Sequence, residues 1–180
     1  MKLIKITENN TEYAIRIQNE LFPDEDGRTN FEESLEADFD YDYYLLYDDE
    51  TCLGIIGLYN FGEDKDSAWL GWFGIKKEFR RKGYGSEALK AFEEMAIEKG
   101  YRFARLYTDA ENNDVAIAFY KANGYTAEKY DNPDDPVSEK YKMLIFSKSL
   151  SKEKLVPWYN RNIHLTGQIV KQEKYSSKNN

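Results

Sequence analysis

The stretch between Trp69 and Thr108 constrains the fold more than any other part of the chain. Residues 69–75 (Trp-Leu-Gly-Trp-Phe-Gly-Ile) form an aromatic run rich in strand formers. Residues 80–86 (Arg-Arg-Lys-Gly-Tyr-Gly-Ser) are basic and contain two glycines. Leu89, Phe92, Met95 and Ala96 then recur at helical spacing, and Gly100 stands in the usual stop position. Residues 103–108 read as another strand. Strand, glycine loop, helix and strand in this order predict two parallel strands joined by a right-handed helical crossover.

The flanking sequence fills out a mixed sheet. Leu3 to Ile6 is a short first strand. Ala14, Ile17 and Leu21 mark a helix from Asn9 that Pro23 and Gly27 end. Thr29 and Glu32 make a capping-box pattern that opens a second helix through Phe31 and Leu35. Residues 43–47 and 52–61 look like a hairpin turned by Asp48-Asp49-Glu50-Thr51. Asn112 and Asn113 can cap a helix with Val115, Phe119 and Ala122 inward and Gly124 as its stop. Residues 125–130 and 141–147 are two final strands. The sum is an α/β (α+β) fold with seven strands and four helices.

The chain has 180 residues, 41% of them hydrophobic, enough for one domain with a real core. A net charge of −8 argues against nucleic-acid binding, which needs a basic surface. Between Glu20 and Glu50 stand thirteen acids and one base, Arg28. From Ser151 onward there are six lysines or arginines against two glutamates. This shift sets an expected boundary between a domain of residues 1–150 and a basic C-terminal extension of residues 151–180. No apolar run is long enough to cross a bilayer, and the start carries no signal-peptide core. Cys52 is the sole cysteine, so no intrachain disulfide forms. A cytoplasmic location is the expectation.

Arg80, Arg81 and Lys82 bring positive charge to a loop whose glycines, Gly83 and Gly85, let backbone amides converge on one anion. The N-terminus of the following helix adds free N–H groups and its dipole, which suits a pyrophosphate. A solvated basic turn with a glycine hinge is the plainer alternative. The spacing Gly83, Gly85, Ala88 also fits a dinucleotide fingerprint. That fingerprint places its first glycine directly after a strand, whereas seven residues separate Ile75 from Gly83.

These residues resemble the acetyl-CoA-binding motif of the GNAT superfamily: Arg80, Gly83 and Gly85, with Ile75 five places before the arginine. A second family element matches Asn113, Ala116, Phe119, Tyr120, Gly124 and Tyr125. The resemblance covers roughly residues 1–150. It implies a mostly antiparallel sheet whose central strands splay, with the pantetheine arm of acetyl-CoA in the gap. Backbone groups of Phe73, Gly74 and Ile75 would pair with that arm. Amides from Arg81 to Ser86, including Lys82, Tyr84 and Gly85, would hold the pyrophosphate, and Asn113 would hydrogen-bond the pantetheine. Tyr120 would lie near the thioester sulfur and act as general acid, although a tyrosine on an apolar helix face is also a packing residue. An N–H near Gly74 or Ile75 would stabilise the oxyanion. The implied reaction is direct attack by a primary amine, with no covalent enzyme intermediate.

Many relatives carry a carboxylate base on the fourth strand, and residues 69–74 offer none. Glu63, Asp64 and Asp66 lie in the turn before it. No base is assigned. His164, the sole histidine, reads as structural or solvated, and no cluster has metal-ligand spacing. The resemblance puts the acceptor site beside the first two helices and the loop between the last two strands. Those segments hold Glu20, Asp24, Glu25, Asp26, Glu32, Glu33 and Glu36, then Asp131, Asp134, Asp135 and Glu139. Such a field suits a polycationic acceptor such as an aminoglycoside, a polyamine or a lysine-rich peptide. A protein N-terminal or lysine acetyltransferase, a catalytically silent acetyl-CoA sensor and a tail that docks an acidic partner remain open alternatives. The expected partner is a small-molecule or peptide amine, without nucleic acid or membrane, and a homodimer is left open.

Overall fold

The computed structural model describes residues 1–35, 41–60, 64–111, 113–135, 142–158 and 165. Its elements are β1 (Lys2–Lys5), α1 (Thr11–Leu21), α2 (Gly27–Leu35), β2 (Tyr41–Asp48), β3 (Thr51–Tyr59), β4 (Ser67–Leu70), β5 (Gly74–Ile75), α3 (Tyr84–Glu98), β6 (Phe103–Asp109), α4 (Asp114–Ala122), β7 (Thr126–Lys129) and β8 (Met143–Ser149). A short 3-10 turn, Lys77–Phe79, precedes α3. The strands form one sheet in the order β1-β2-β3-β4-β6-β8-β7, and β5 also pairs with β3. Among the described residues β4 and β6 alone pair in parallel. They are the two strands that flank α3, as the strand–loop–helix–strand pattern predicts.

The aromatic run expected as one strand is divided. Leu58 pairs with Leu70 on β4, whereas Ile55 pairs with Gly74 on β5. Ile56 and Gly57 on β3 therefore span the same interval as Gly71, Trp72 and Phe73. One extra residue in one strand is a β-bulge, which bends the strand away from its former neighbour. Beyond the bulge β5 pairs with β3 alone, while β6 turns to β8 along its whole length. The sheet thus opens between β5 and the end of β6.

Alternation of side chains sorts the core onto two faces. On one face Leu58, Ala68, Leu70, Ala104, Leu106 and Phe146 meet α3 through Ala88, Leu89, Phe92 and Ala96. Full burial of each large apolar side chain there is worth roughly 1.5–3 kcal/mol. On the other face Tyr43, Leu45 and Ile55 meet Ala14, Ile17 and Phe31 of α1 and α2.

Three local readings are corrected. Val115 and Ala122, expected inward on α4, are exposed, and Tyr120 is that helix's buried residue. α2 starts at Gly27, ahead of Thr29, because the Asp26 carboxylate caps it. Asp26 accepts hydrogen bonds from the Arg28 amide at 3.0 Å and the Thr29 hydroxyl at 2.7 Å. Asn113 occupies the cap position of α4, but its side chain makes no cap bond and donates to the Thr108 hydroxyl. Asn112 lies outside the described residues.

The segment after Ser151 meets the same face as α1 and α2. Trp158 is 3% exposed and sits edge-on to Trp69 at 4.9 Å. The Val156 carbonyl accepts from the guanidinium of Arg105, which also donates to Ser67 and Ser147. Leu165 is buried, and its amide donates to Asp135 at 2.7 Å.

Candidate active site

The opening in the sheet leads into a cleft of about 620 Å³. Phe73, Asn113 and Tyr120, all expected in the site, line it together with Leu70, Gly71, Trp72 and Thr108. Each element contributes for a physical reason. The bulge presents Trp72 and Phe73 rather than a flat strand. α4 follows closely on β6, and the bond from Asn113 to Thr108 ties its cap residue to that strand. The Phe73 ring meets Phe119 at 6.1 Å, which joins the two walls.

Tyr120 is 9% exposed and held edge-on by Phe119 and Tyr125. Burial pushes its phenol well above the ordinary range, so it stays protonated at any working pH. A phenol kept neutral at the wall of a cleft can donate a proton or a hydrogen bond.

Gly74 and Ile75 form β5, and Arg80 to Ser86 stand beside the start of α3. Arg80 turns its Nε back to the Ile75 carbonyl at 2.8 Å, so it fixes the end of β5 as well as adding charge. Arg81 has φ of 60° and Gly83 φ of 89°, and Gly83 is the cap residue of α3. Left-handed backbone is costly with a Cβ, and glycine removes that cost at the second of these positions. No side chain caps this helix, which leaves the first-turn amides for an external acceptor. Lys82 lies over the Phe79 ring, and Tyr84 donates to Asp48 at 2.5 Å. Gly85 lies inside the first turn of α3 rather than in the loop. A Cβ there would stand 3.3 Å from the Phe119 ring, so its value is close packing of α3 on α4. The open helix end, the split strands and the adjoining cleft fit a long anionic ligand such as acetyl-CoA.

Apart from Glu25, the other half of the cleft was not expected from the sequence. Its floor is Tyr41, Tyr43, Tyr59 and Tyr107, and Phe22, Glu25, Asn30, Asp109 and Met143 complete the rim. Tyr41 and Tyr43 alternate on one face of β2, a period-2 signal that could have marked them. Gly57 and Gly71 leave room for the Tyr43 ring, which a Cβ on either would crowd. Burial raises the phenols of Tyr59 and Tyr107 and keeps the floor uncharged.

Much of the acidic field is committed to other partners. Glu20 pairs with Lys76 at 3.1 Å, Glu32 with Arg28 at 3.0 Å and Asp131 with Lys129 at 3.1 Å. Asp26 caps α2. Asp135 is buried and accepts from Tyr130. Glu36, Glu139 and the Glu33 side chain lie outside the described residues. Of the acids expected to face the acceptor, Glu25 lines the cleft.

Comparison with known proteins agrees with this geometry. The Acetyltransferase (GNAT) family profile matches residues 9–125. The chain belongs to the GNAT acetyltransferase family and is an N-acetyltransferase by class. No curated protein sequence matches it. Among solved structures it is similar to the ribosomal-protein-S18-alanine N-acetyltransferase from Escherichia coli, with 15% identity and a TM-score of 0.67 over 87% of this chain and 98% of that one. An aminoglycoside 6'-N-acetyltransferase complexed with coenzyme A is 13% identical, with a TM-score of 0.64 over 86% of this chain and 100% of its own. A spermidine N-acetyltransferase chimera drawn in part from Vibrio cholerae is 15% identical, with a TM-score of 0.65 over 84% and 98%. At these identities the likeness is one of fold. Among the described residues no helix is long and apolar enough to cross a membrane.

Proposed function

We propose that this protein moves the acetyl group of acetyl-CoA to the primary amine of a small cationic acceptor, of the polyamine or aminoglycoside kind. The observation that carries the reading is the composition of the cleft. Asn113 and Tyr120 share it with a neutral tyrosine floor and two carboxylates, Glu25 and Asp109, and among the described residues its lining holds no lysine or arginine. A low-dielectric bowl with acids at its edge concentrates cations. Tyrosine faces add attraction for an ammonium.

Acetyl-CoA supplies an activated acyl group. The chain's residues bind, orient and move protons. The amides from Arg81 to Ser86 at the open end of α3 hold the pyrophosphate, with Arg81 and Lys82 adding charge. Phe73, Gly74 and Ile75 align the arm along β5, and Asn113 holds its other side. An N–H of Gly74 or Ile75 supports charge on the carbonyl oxygen. Tyr120 gives a proton to the departing sulfur. No nucleophilic side chain is needed, so attack is direct. The segment after Ser151 serves as a cover for the sheet behind the cleft rather than as a reactive group.

Ranking acceptors tests this. With acetyl-CoA saturating, spermidine and an aminoglycoside should show higher kcat/KM than glutamate or a neutral primary amine. The advantage should shrink as salt rises, because exposed charges are screened within about 8–10 Å. An acidic amine as best acceptor would refute the cationic assignment. A peptide with a free N-terminal alanine belongs in the panel, because the Escherichia coli neighbour is a ribosomal-protein-S18-alanine N-acetyltransferase.

A further inference from the structure

We infer that Glu25, in the loop between α1 and α2, is the general base that takes the proton from the acceptor's ammonium. This rests on the transferase reading above and supplies the base that β4 lacks.

The end of α1 and the loop that follows it are fastened to the bulged strand and its edge at three places. The Phe22 ring meets Trp72 at 5.0 Å. Leu21 and Phe22 close over Gly74, where a Cβ would come within 3.1–3.2 Å of both. Glu20 and Lys76 form an ion pair just beyond β5. The Glu25 amide then donates to the Phe22 carbonyl, a turn that carries residue 25 back over the sheet. The strand segment expected to hold the acetyl group and the loop that holds Glu25 thus form one braced unit. Glu25 and Tyr120 line the same cleft.

Other acids at this rim are committed or turned away. Asp26 caps α2. Asp109 lines the cleft, but its carboxylate accepts from the Glu111 amide at 2.9 Å. Asp24 and Glu25 are both exposed, and of the two Glu25 lines the cleft. The titratable groups that face Glu25 are Asp24 from its own loop and Tyr107 of the floor. Loss of hydration, then the Asp24 charge, raise the Glu25 pKa. A carboxylate of raised pKa is the stronger base.

The protons balance. The ammonium gives one proton to Glu25. Its nitrogen then bonds to the acetyl carbon as the carbon–sulfur bond breaks. The second N–H proton is lost as the amide forms, and the sulfur gains one from Tyr120. The phenol recovers that proton from the nitrogen through the cleft, and Glu25 returns the first to solvent.

The test uses the full-length protein with spermidine and an aminoglycoside, and records kcat and KM against pH for wild type, Glu25→Gln, Glu25→Asp and Asp24→Asn. Glu25→Gln should lower kcat about a hundredfold and abolish the acidic limb of the pH profile, with acetyl-CoA affinity unchanged in calorimetry. Glu25→Asp should restore part of kcat, and Asp24→Asn should keep kcat and shift the acidic limb to lower pH. A Glu25→Gln protein that keeps its kcat and acidic limb while KM rises would overturn the base and leave a counterion. If wild type transfers no acetyl group to any amine, the transferase reading itself fails, a result separate from the first.

Discussion

Gly85 faces the Phe119 ring so closely that a Cβ would stand 3.3 Å from it. This contact joins the helix that starts at the anion loop to the helix that carries Tyr120. A change at Gly85 therefore acts on both halves of the site. Gly85→Asp should push Phe119 aside and add a negative charge where phosphate is expected. Calorimetry should show acetyl-CoA affinity reduced at least tenfold, and unchanged affinity in a folded variant would remove the loop from the site.

Gly83 differs from Gly85 in mechanism. Its surroundings are open, but its φ of 89° is unfavourable for any residue with a Cβ. Gly83→Ala should cost roughly 1–2 kcal/mol in urea unfolding. A stability equal to wild type would mean that the turn relaxes freely.

Tyr120→Phe keeps the ring contacts with Phe119, Tyr125 and Phe146 and removes the hydroxyl. Turnover should fall about a hundredfold, the scale of lost general acid catalysis, while acetyl-CoA binding persists. The wild-type phenol is raised by burial, so deprotonation of Tyr120 should not limit the rate at neutral pH. Near-normal turnover in the variant would leave Tyr120 with a packing role.

Trp158→Ala tests the covering segment. Trp158 fills the space against Trp69 and Tyr130, and its neighbour Val156 accepts from the buried Arg105. The substitution should cost about 3–5 kcal/mol, as for large aromatic truncations in a core. A change below about 1 kcal/mol in urea unfolding would show that the segment adds little to the fold.

The unit from β4 to β6 was legible because glycines, basic residues and helical periodicity follow one another within a short span. Asn113 and Tyr120 were legible through the second motif and do line the cleft. Other features depend on distant partners. Residues 69–75 are uniformly apolar or glycine, so nothing in their pattern marks the bulge that β3 imposes. Thr29 and Glu32 imitate a capping box, but Asp26 wins because its carboxylate reaches both the Arg28 amide and the Thr29 hydroxyl. Gly85 looks like a loop glycine until Phe119 is seen above it. The acids of residues 20–50 suggest a broad field, yet ion pairs and a cap occupy several of them. The basic composition after Ser151 hides Trp158 and Leu165, which lie in the core.

Acetyl transfer from acetyl-CoA to an amine in this cleft is the reaction proposed. Its most direct test follows free thiol release and product mass together, with purified protein, acetyl-CoA and spermidine. One acetyl group should appear on the amine for every thiol released, at a rate that collapses in Tyr120→Phe. Binding of acetyl-CoA without thiol release, across spermidine, aminoglycosides and N-terminal peptides alike, would contradict it.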